Sequence, residues 1–264
     1  MSDTYLFALS ASRWRRLSIE GGTLIVRALR LTLRDTDSLI TALALPVLLM
    51  LMFVYLFGGA IHTPISYVDY VVPGVLLVCV GFGAGTTAVS VSRDLNAGMI
   101  DRLRSMDVRG VTLINGHVVA SVLRNLLSTA IVLAVALAIG FRPHGDAAGW
   151  LAALAVLLVY VVGLSWLAAA IGILARSPEA AQGIAFLISF LAYPSSAFVP
   201  VGTMPSALQA FAANQPVSQV ADTMRTLLTG AGGAPAWSAI AWSLGIAAGS
   251  IALAAVLFRR HRIQ

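Results

Sequence analysis

Residues 150–175 read WLAALAVLLVYVVGLSWLAAAIGILA, with no charged side chain from Trp150 to Ala175. A helix that crosses a bilayer needs about 20 mainly apolar residues, because hydrocarbon offers no water to a charge or an open backbone group. This stretch exceeds that length. Outward from it, comparable runs occupy residues 39–60, 71–92, 118–140, 180–199 and 237–258. The expected fold is an all-α membrane protein with six transmembrane helices.

Composition points the same way. Of 264 residues, 59% are hydrophobic and only 11% are charged, and the mean hydropathy is +0.89. A soluble domain carries roughly 25% charged residues. A core of this size cannot hide so much apolar surface, so lipid must solvate most of it. Residues 1–264 are expected to form a single membrane domain.

The net charge of +6 comes with 17 basic residues, every one an arginine. They sit in short segments flanking apolar runs, which excludes an aromatic-interleaved nucleic-acid surface and fits membrane orientation. One group holds Arg13, Arg15, Arg16, Arg27, Arg30 and Arg34. A second holds Arg93, Arg102, Arg104 and Arg109. Arg176 follows the fourth run, and Arg259, Arg260 and Arg262 follow the last. All of these fall on one side of a six-span topology, whereas only Arg142 and Arg225 fall on the other. Both termini are therefore expected in the cytoplasm. The missing lysine excludes an ordinary P-loop, whose lysine holds the phosphates. This chain is not expected to be a Walker-type ATPase by itself.

Residues 1–38 are polar and arginine-rich, too long for the n-region of a signal peptide. Leu24, Ala28 and Leu31 line one helical face and Arg27, Arg30 and Arg34 line others. That pattern, with Trp14 as an anchor, predicts an interfacial helix on membrane lipid. The lone Cys79 lies in an apolar run and reads as a small hydrophobe.

Residues 93–109 read RDLNAGMIDRLRSMDVR. Leu95, Met99, Leu103 and Met106 recur at helical spacing, with Arg93, Asn96, Asp101, Arg102, Arg104 and Asp107 mostly elsewhere. Such a helix can insert its apolar face into a partner's groove or lie on anionic lipid, and the pattern alone favours neither.

Residues 193–230 are the most distinctive. They read YPSSAFVPVGTMPSALQAFAANQPVSQVADTMRTLLTG. Pro194 and Pro200 should loosen the end of the fifth run. Leu208 and Phe211, then Val217, Val220, Met224 and Leu227, have helical spacing. Two short amphipathic helices parted at Asn214-Gln215-Pro216 are predicted. Each is too short to span, so residues 204–228 should be re-entrant or interfacial on the outer side.

Chemical signals are sparse. Arg124, with His117 on the same helical face, is the main ionisable group at depth. It lies only ~10 Å from its helix start, so a snorkelling arginine is expected. Asp69 and Glu179 sit at run edges. No carboxylate sits mid-span, which argues against an ion-coupled secondary transporter, the principal alternative. His62, His117, His144 and His261 have no paired metal-ligand spacing. Ser165 follows Gly163, but Leu167 replaces the second glycine of a nucleophile elbow, so it reads as a packing residue.

At Phe198-Val199-Pro200, Met204-Pro205, Asn214-Gln215-Pro216 and Arg225 to Gly230 the sequence resembles the permease subunits of ABC-2 type exporters, within them the daunorubicin-resistance-like drug exporters. Gly98 to Ser105, GMIDRLRS, is a second match. The chain departs from that pattern at Asp107, where many relatives carry proline, and near Asn96, where many are acidic. The resemblance implies an exporter of amphipathic small molecules or lipids in a bacterial cytoplasmic membrane. It implies two separate ATP-binding subunits that hold ATP and magnesium, no cofactor in this chain, and a second permease copy. Residues 93–109 would be the coupling helix, with Leu95, Met99, Leu103 and Met106 docking and Arg93, Arg102 and Arg104 making polar contacts. Residues 204–228, with Pro200, Met204, Pro205, Asn214, Gln215, Pro216 and Arg225, would form the extracellular re-entrant helices.

Overall fold

The structure is a computed structural model that describes residues 36–98, 110–231 and 235–260. Those residues are helical or connecting, with no strand among them. Helix α1 is Thr36–Met52 and passes into a π-helical turn, Phe53–Phe57. Next come α2, Tyr67–Asn96, α3, Gly110–Ala138, α4, Ala147–Leu174, and α5, Pro178–Phe190. A short 3₁₀ turn, Val201–Thr203, leads to α6, Ser206–Asn214, and α7, Pro216–Thr229; α8, Ala236–Arg260, is last.

Helix ends follow local chemistry. Asp146 caps α4 by accepting from the Gly149 N–H at 2.8 Å. Ser177 caps α5 by accepting from Ala180 N–H at 3.2 Å, with Pro178 in the first turn, where no amide partner is needed. Helix α7 starts at Pro216 and stops at Gly230, whose φ of 73° is a left-handed conformation that glycine adopts without penalty.

Among the described residues, four helices are long and apolar enough to cross a membrane: α2, α3, α4 and α8. Helix α1 is shorter, and α5 has only 13 residues. The apolar run over 180–199 is thus helical only to Phe190, after which the chain turns. The physical reason is in the sequence. Pro194 and Pro200 lack an amide donor and push the preceding residue out of the α region. Ser195 and Ser196 also turn their hydroxyls to other partners: Ser195 donates to the Ala192 carbonyl and Ser196 to Asp222 Oδ1 at 2.8 Å.

Helix α2 is the axis of the bundle. It packs on α3, α4 and α5, and more lightly on α1 and α7, while α8 packs on α4. Burial distinguishes these places: 72% of the most apolar window of α2 is buried, against 22% for α8. The exposed side chains of α8, such as Trp237 and Leu244, are those expected to face lipid. Close packing along α2 depends on small residues. A Cβ at Gly74 would stand 2.5 Å from the Ala197 Cβ, and one at Gly172 of α4 would stand 2.6 Å from the Ala88 carbonyl oxygen.

Candidate functional site

Three clusters carry the polar chemistry of the described residues. The first joins α7 to the start of α2 and to residues 194–198. Arg225, at 5% exposure, donates from Nε and Nη2 to the Tyr70 carbonyl at 3.1 and 3.0 Å. Nη2 also donates to the Ser196 carbonyl at 3.0 Å, and Nη1 pairs with Asp222. The guanidinium carbon lies 3.7 Å from the centre of the Tyr70 ring. A buried guanidinium is costly unless its donors are met, and here two carbonyls, a carboxylate and a π face meet them.

Neighbouring bonds extend the clamp. Tyr70 donates its hydroxyl to the Ser196 carbonyl at 2.9 Å, and Tyr67 donates to the Phe198 carbonyl at 3.1 Å. Ser218 accepts from the Ser196 N–H at 3.0 Å. Gln215, buried, donates to the Pro194 carbonyl. The Gly145 N–H donates to the Leu228 carbonyl at 2.8 Å, and Asp69 accepts from the Arg142 N–H at 2.9 Å.

Two short helices parted at Asn214-Gln215-Pro216 are present as read from spacing. Of the residues singled out there, Gln215 and Arg225 are brought into the clamp. Pro200 and Met204 are half-buried, and Pro216 starts α7. Pro205 and Asn214 are exposed, Asn214 donating to the Ala210 carbonyl at 2.8 Å. Tyr70, Ser196 and Asp222 did not stand out in the sequence. Asp222, three residues before Arg225 on one helix, was the available signal; the other two partners come from distant segments.

The second cluster is at the opposite end of α2. That helix continues through Arg93, Asp94, Leu95 and Asn96, so the segment 93–109 begins inside it. The helix ends at Asn96, and Gly98, just past the capping Ala97, has a left-handed φ of 68°. Arg93 is exposed, whereas Leu95 packs beside Val91, Ile114 and Val118 within the bundle. His117 Nε2 lies 3.1 Å from Asp94 Oδ2 and so ties α3 to this end of α2. Glu179, at the start of α5, is held below the usual carboxylate range by its own backbone N–H, by the Ser177 hydroxyl and by the Arg93 charge. Met99, Arg102, Leu103, Arg104 and Met106 lie outside the described residues, as does the interfacial segment up to residue 35.

The third cluster lies between α2, α3 and α4. Thr87 donates to Ser121 Oγ at 2.8 Å, Ser165 donates to the same oxygen at 2.9 Å, and Asn125 reaches it at 3.3 Å. Arg124 does not snorkel outward as its depth suggested. Its Nη2 donates to the Gly83 carbonyl at 3.1 Å and to Thr87. Acceptors four residues apart on α2 offer the guanidinium a nearer partner than the interface. The hydroxyl chain contains no base, so it can hold helices together but cannot activate a nucleophile. Among the described residues, no three His, Cys, Asp or Glu side chains converge on a metal position.

Two of these polar clusters thus lie at opposite ends of α2 in a bundle with several apolar, membrane-length helices. The sequence matches the ABC-2 type transporter family over residues 20–229, and the chain belongs to that family. It is 32% identical over 228 residues to the daunorubicin resistance ABC transporter permease protein of Streptomyces coeruleorubidus, covering 84% of this chain and 78% of that one. It is 23% identical over 230 residues to a probable doxorubicin resistance ABC transporter permease protein of Mycobacterium tuberculosis, strain CDC 1551 / Oshkosh, covering 86% and 83% of the two chains. The protein is therefore a multi-pass membrane protein of the ABC-2 transporter family.

Proposed function

We propose that this chain is the transmembrane permease subunit of an ATP-binding cassette exporter, moving amphipathic small molecules or lipids outward across a bacterial cytoplasmic membrane. The observation that carries the reading is family membership together with relatives named as daunorubicin and doxorubicin resistance permeases. In this reading the chain hydrolyses nothing. Two copies of a separate ATP-binding subunit bind ATP and magnesium, and two copies of the permease form the path.

The topology proposed is six spans with both termini in the cytoplasm. Helix α1 with its π turn is the first span. Helix α5 and the turns after it form the fifth, a broken one. Helices α6 and α7 form an outer re-entrant pair that the Arg225 clamp bolts to α2. Support for this comes from the arginine distribution and from the shortness of α6 and α7, at 9 and 14 residues.

Residues 93–109 are proposed as the handle for the ATPase, with Met99, Leu103 and Met106 on its apolar face. Leu95 packs in the bundle and would anchor the handle to α2. Motion of the handle would then reach the outer clamp through α2, which joins both clusters. ATP binding must favour one arrangement of the bundle by differential contacts, since equal contacts in both states would shift nothing. Isolation of the tagged chain from its native membrane tests the pairing. A Walker-motif ATPase should co-purify with it, and be lost when Met99 and Leu103 are both changed to Asp. Retention of the ATPase by that double variant would refute the handle.

A further inference from the structure

The segment proposed as the handle is tethered to the bundle at both ends. Helix α2 ends at Asn96 and α3 begins at Gly110, with residues 97–109 between them. Close to those ends Asp94 of α2 meets His117 of α3, with His117 Nε2 3.1 Å from Asp94 Oδ2. A carboxylate only accepts, so the imidazole Nε2–H donates in this contact. The two side chains are largely buried, at 21% exposure for Asp94 and 14% for His117. Leu95 packs beside Ile114 and Val118 in the same stretch of the two helices. Farther along, α2 and α3 are fastened again. Thr87 donates to Ser121 Oγ at 2.8 Å, and Arg124 donates to the Gly83 carbonyl at 3.1 Å.

A pair this near the helix ends adds little to stability by itself, because water still reaches it. Apolar contact of Leu95 with Ile114 and Val118 already holds the two helices together there. What the directional bond adds is a fixed spacing between Asp94 and His117, and so between the two points where the handle joins the bundle. We propose that Asp94 and His117 are positioning residues for coupling, which make α2 and α3 move as one lever when the handle is displaced. The inference rests on the exporter reading and on residues 93–109 as the handle. It brings α3 into the path beside α2. Without the pair, the two stems would splay and absorb the displacement, and ATP would be hydrolysed with less export.

The test uses the full chain with a separate ATP-binding subunit in inverted membrane vesicles, and reads daunorubicin taken up per ATP hydrolysed. The ratio matters because a merely structural defect lowers the amount of inserted complex, and so both rates, without moving their quotient. His117→Phe keeps a ring and loses the donor; it should lower the ratio about tenfold, within the span of coupling between linked sites. His117→Gln, whose amide nitrogen can donate in place of Nε2, should stay within about twofold of the unaltered chain. Should His117→Phe fail to insert, Asp94→Leu serves instead, with the same loss of ratio expected. A normal ratio in the variant that inserts would overturn the inference. An equal drop in His117→Gln would also overturn it, since that variant keeps the bond. Failure of both His117→Phe and Asp94→Leu to insert would make the pair a folding contact and overturn it too. Absence of ATP-dependent uptake by the unaltered chain would instead refute the exporter reading, and this inference with it.

Discussion

Arg225 sits with its guanidinium carbon 3.7 Å from the centre of the Tyr70 ring while donating to the carbonyl of that same residue at 3.0 Å. One side chain of α7 therefore grips both the backbone and the ring of α2, across 155 residues of sequence. Ser196, between them, receives bonds from both partners through one carbonyl oxygen. The short pair α6–α7 is thus held to the bundle axis by an arginine with a partner at every nitrogen rather than by apolar contact alone.

Replacing Arg225 by Met keeps the volume and removes the clamp. Asp222 then keeps only the Ser196 hydroxyl, the Ser196 carbonyl keeps only the Tyr70 hydroxyl, and the Tyr70 carbonyl loses both bonds from Arg225. A loss of about 2–3 kcal/mol of stability is expected, from charge-assisted bonds at a buried position. Unfolding in mixed micelles measures it. Arg225→Lys should recover only part, because an ammonium cannot present a planar fork to three acceptors.

Tyr70→Phe removes only the hydroxyl bond to Ser196, since the ring face and the backbone carbonyl remain. A cost of about 1 kcal/mol or less is expected, because Arg225 still donates to that carbonyl. A double-mutant cycle with Arg225→Met should show coupling between the two sites. Strict additivity would mean that the shared carbonyl does not link them.

Ser165→Ala should cost about 1 kcal/mol of stability and leave transport within about twofold of wild type. Its hydroxyl donates to Ser121, which Thr87 and Asn125 also address. Transport assays in vesicles, read beside thermal stability, separate the two effects. Complete loss of function in a stable variant would point to a chemical role for Ser165.

Topology can be read with one cysteine at a time, because Cys79 is 1% exposed and silent to impermeant reagents. Gly202→Cys, at the exposed turn before α6, should be labelled by an impermeant maleimide in intact cells. Arg176→Cys, between α4 and α5, should be labelled only after permeabilisation. The reverse pattern would overturn the orientation.

Much of the bundle was legible from apolar run length, because hydrocarbon penalises any charge in a span. Residues 71–92 became α2, which is four residues longer at each end, and residues 150–175 became α4, which starts three residues earlier and stops at Leu174. In the fifth run Pro194 and Pro200 signalled a loosened end, but not that the helix stops as early as Phe190, four residues before the first of them. The parting of α6 and α7 at Gln215-Pro216 was visible because proline at a first helical turn is a local signal. Arg225 stood out, whereas its partners Tyr70 and Ser196 did not: a carbonyl acceptor leaves no mark in sequence. Arg124 was misjudged for the same reason. Its depth was readable, but the Gly83 carbonyl and the Thr87 hydroxyl that draw it inward belong to another helix.

The most direct measurement of the proposed function is ATP-dependent uptake of daunorubicin, the compound in a relative's name, into inverted membrane vesicles containing this chain with and without a separate ATP-binding subunit. Uptake is expected only when both chains and ATP with magnesium are present, and Met99→Asp with Leu103→Asp should abolish it while the permease stays inserted. Uptake by this chain alone, driven by an ion gradient and indifferent to ATP, would contradict the permease-subunit reading outright.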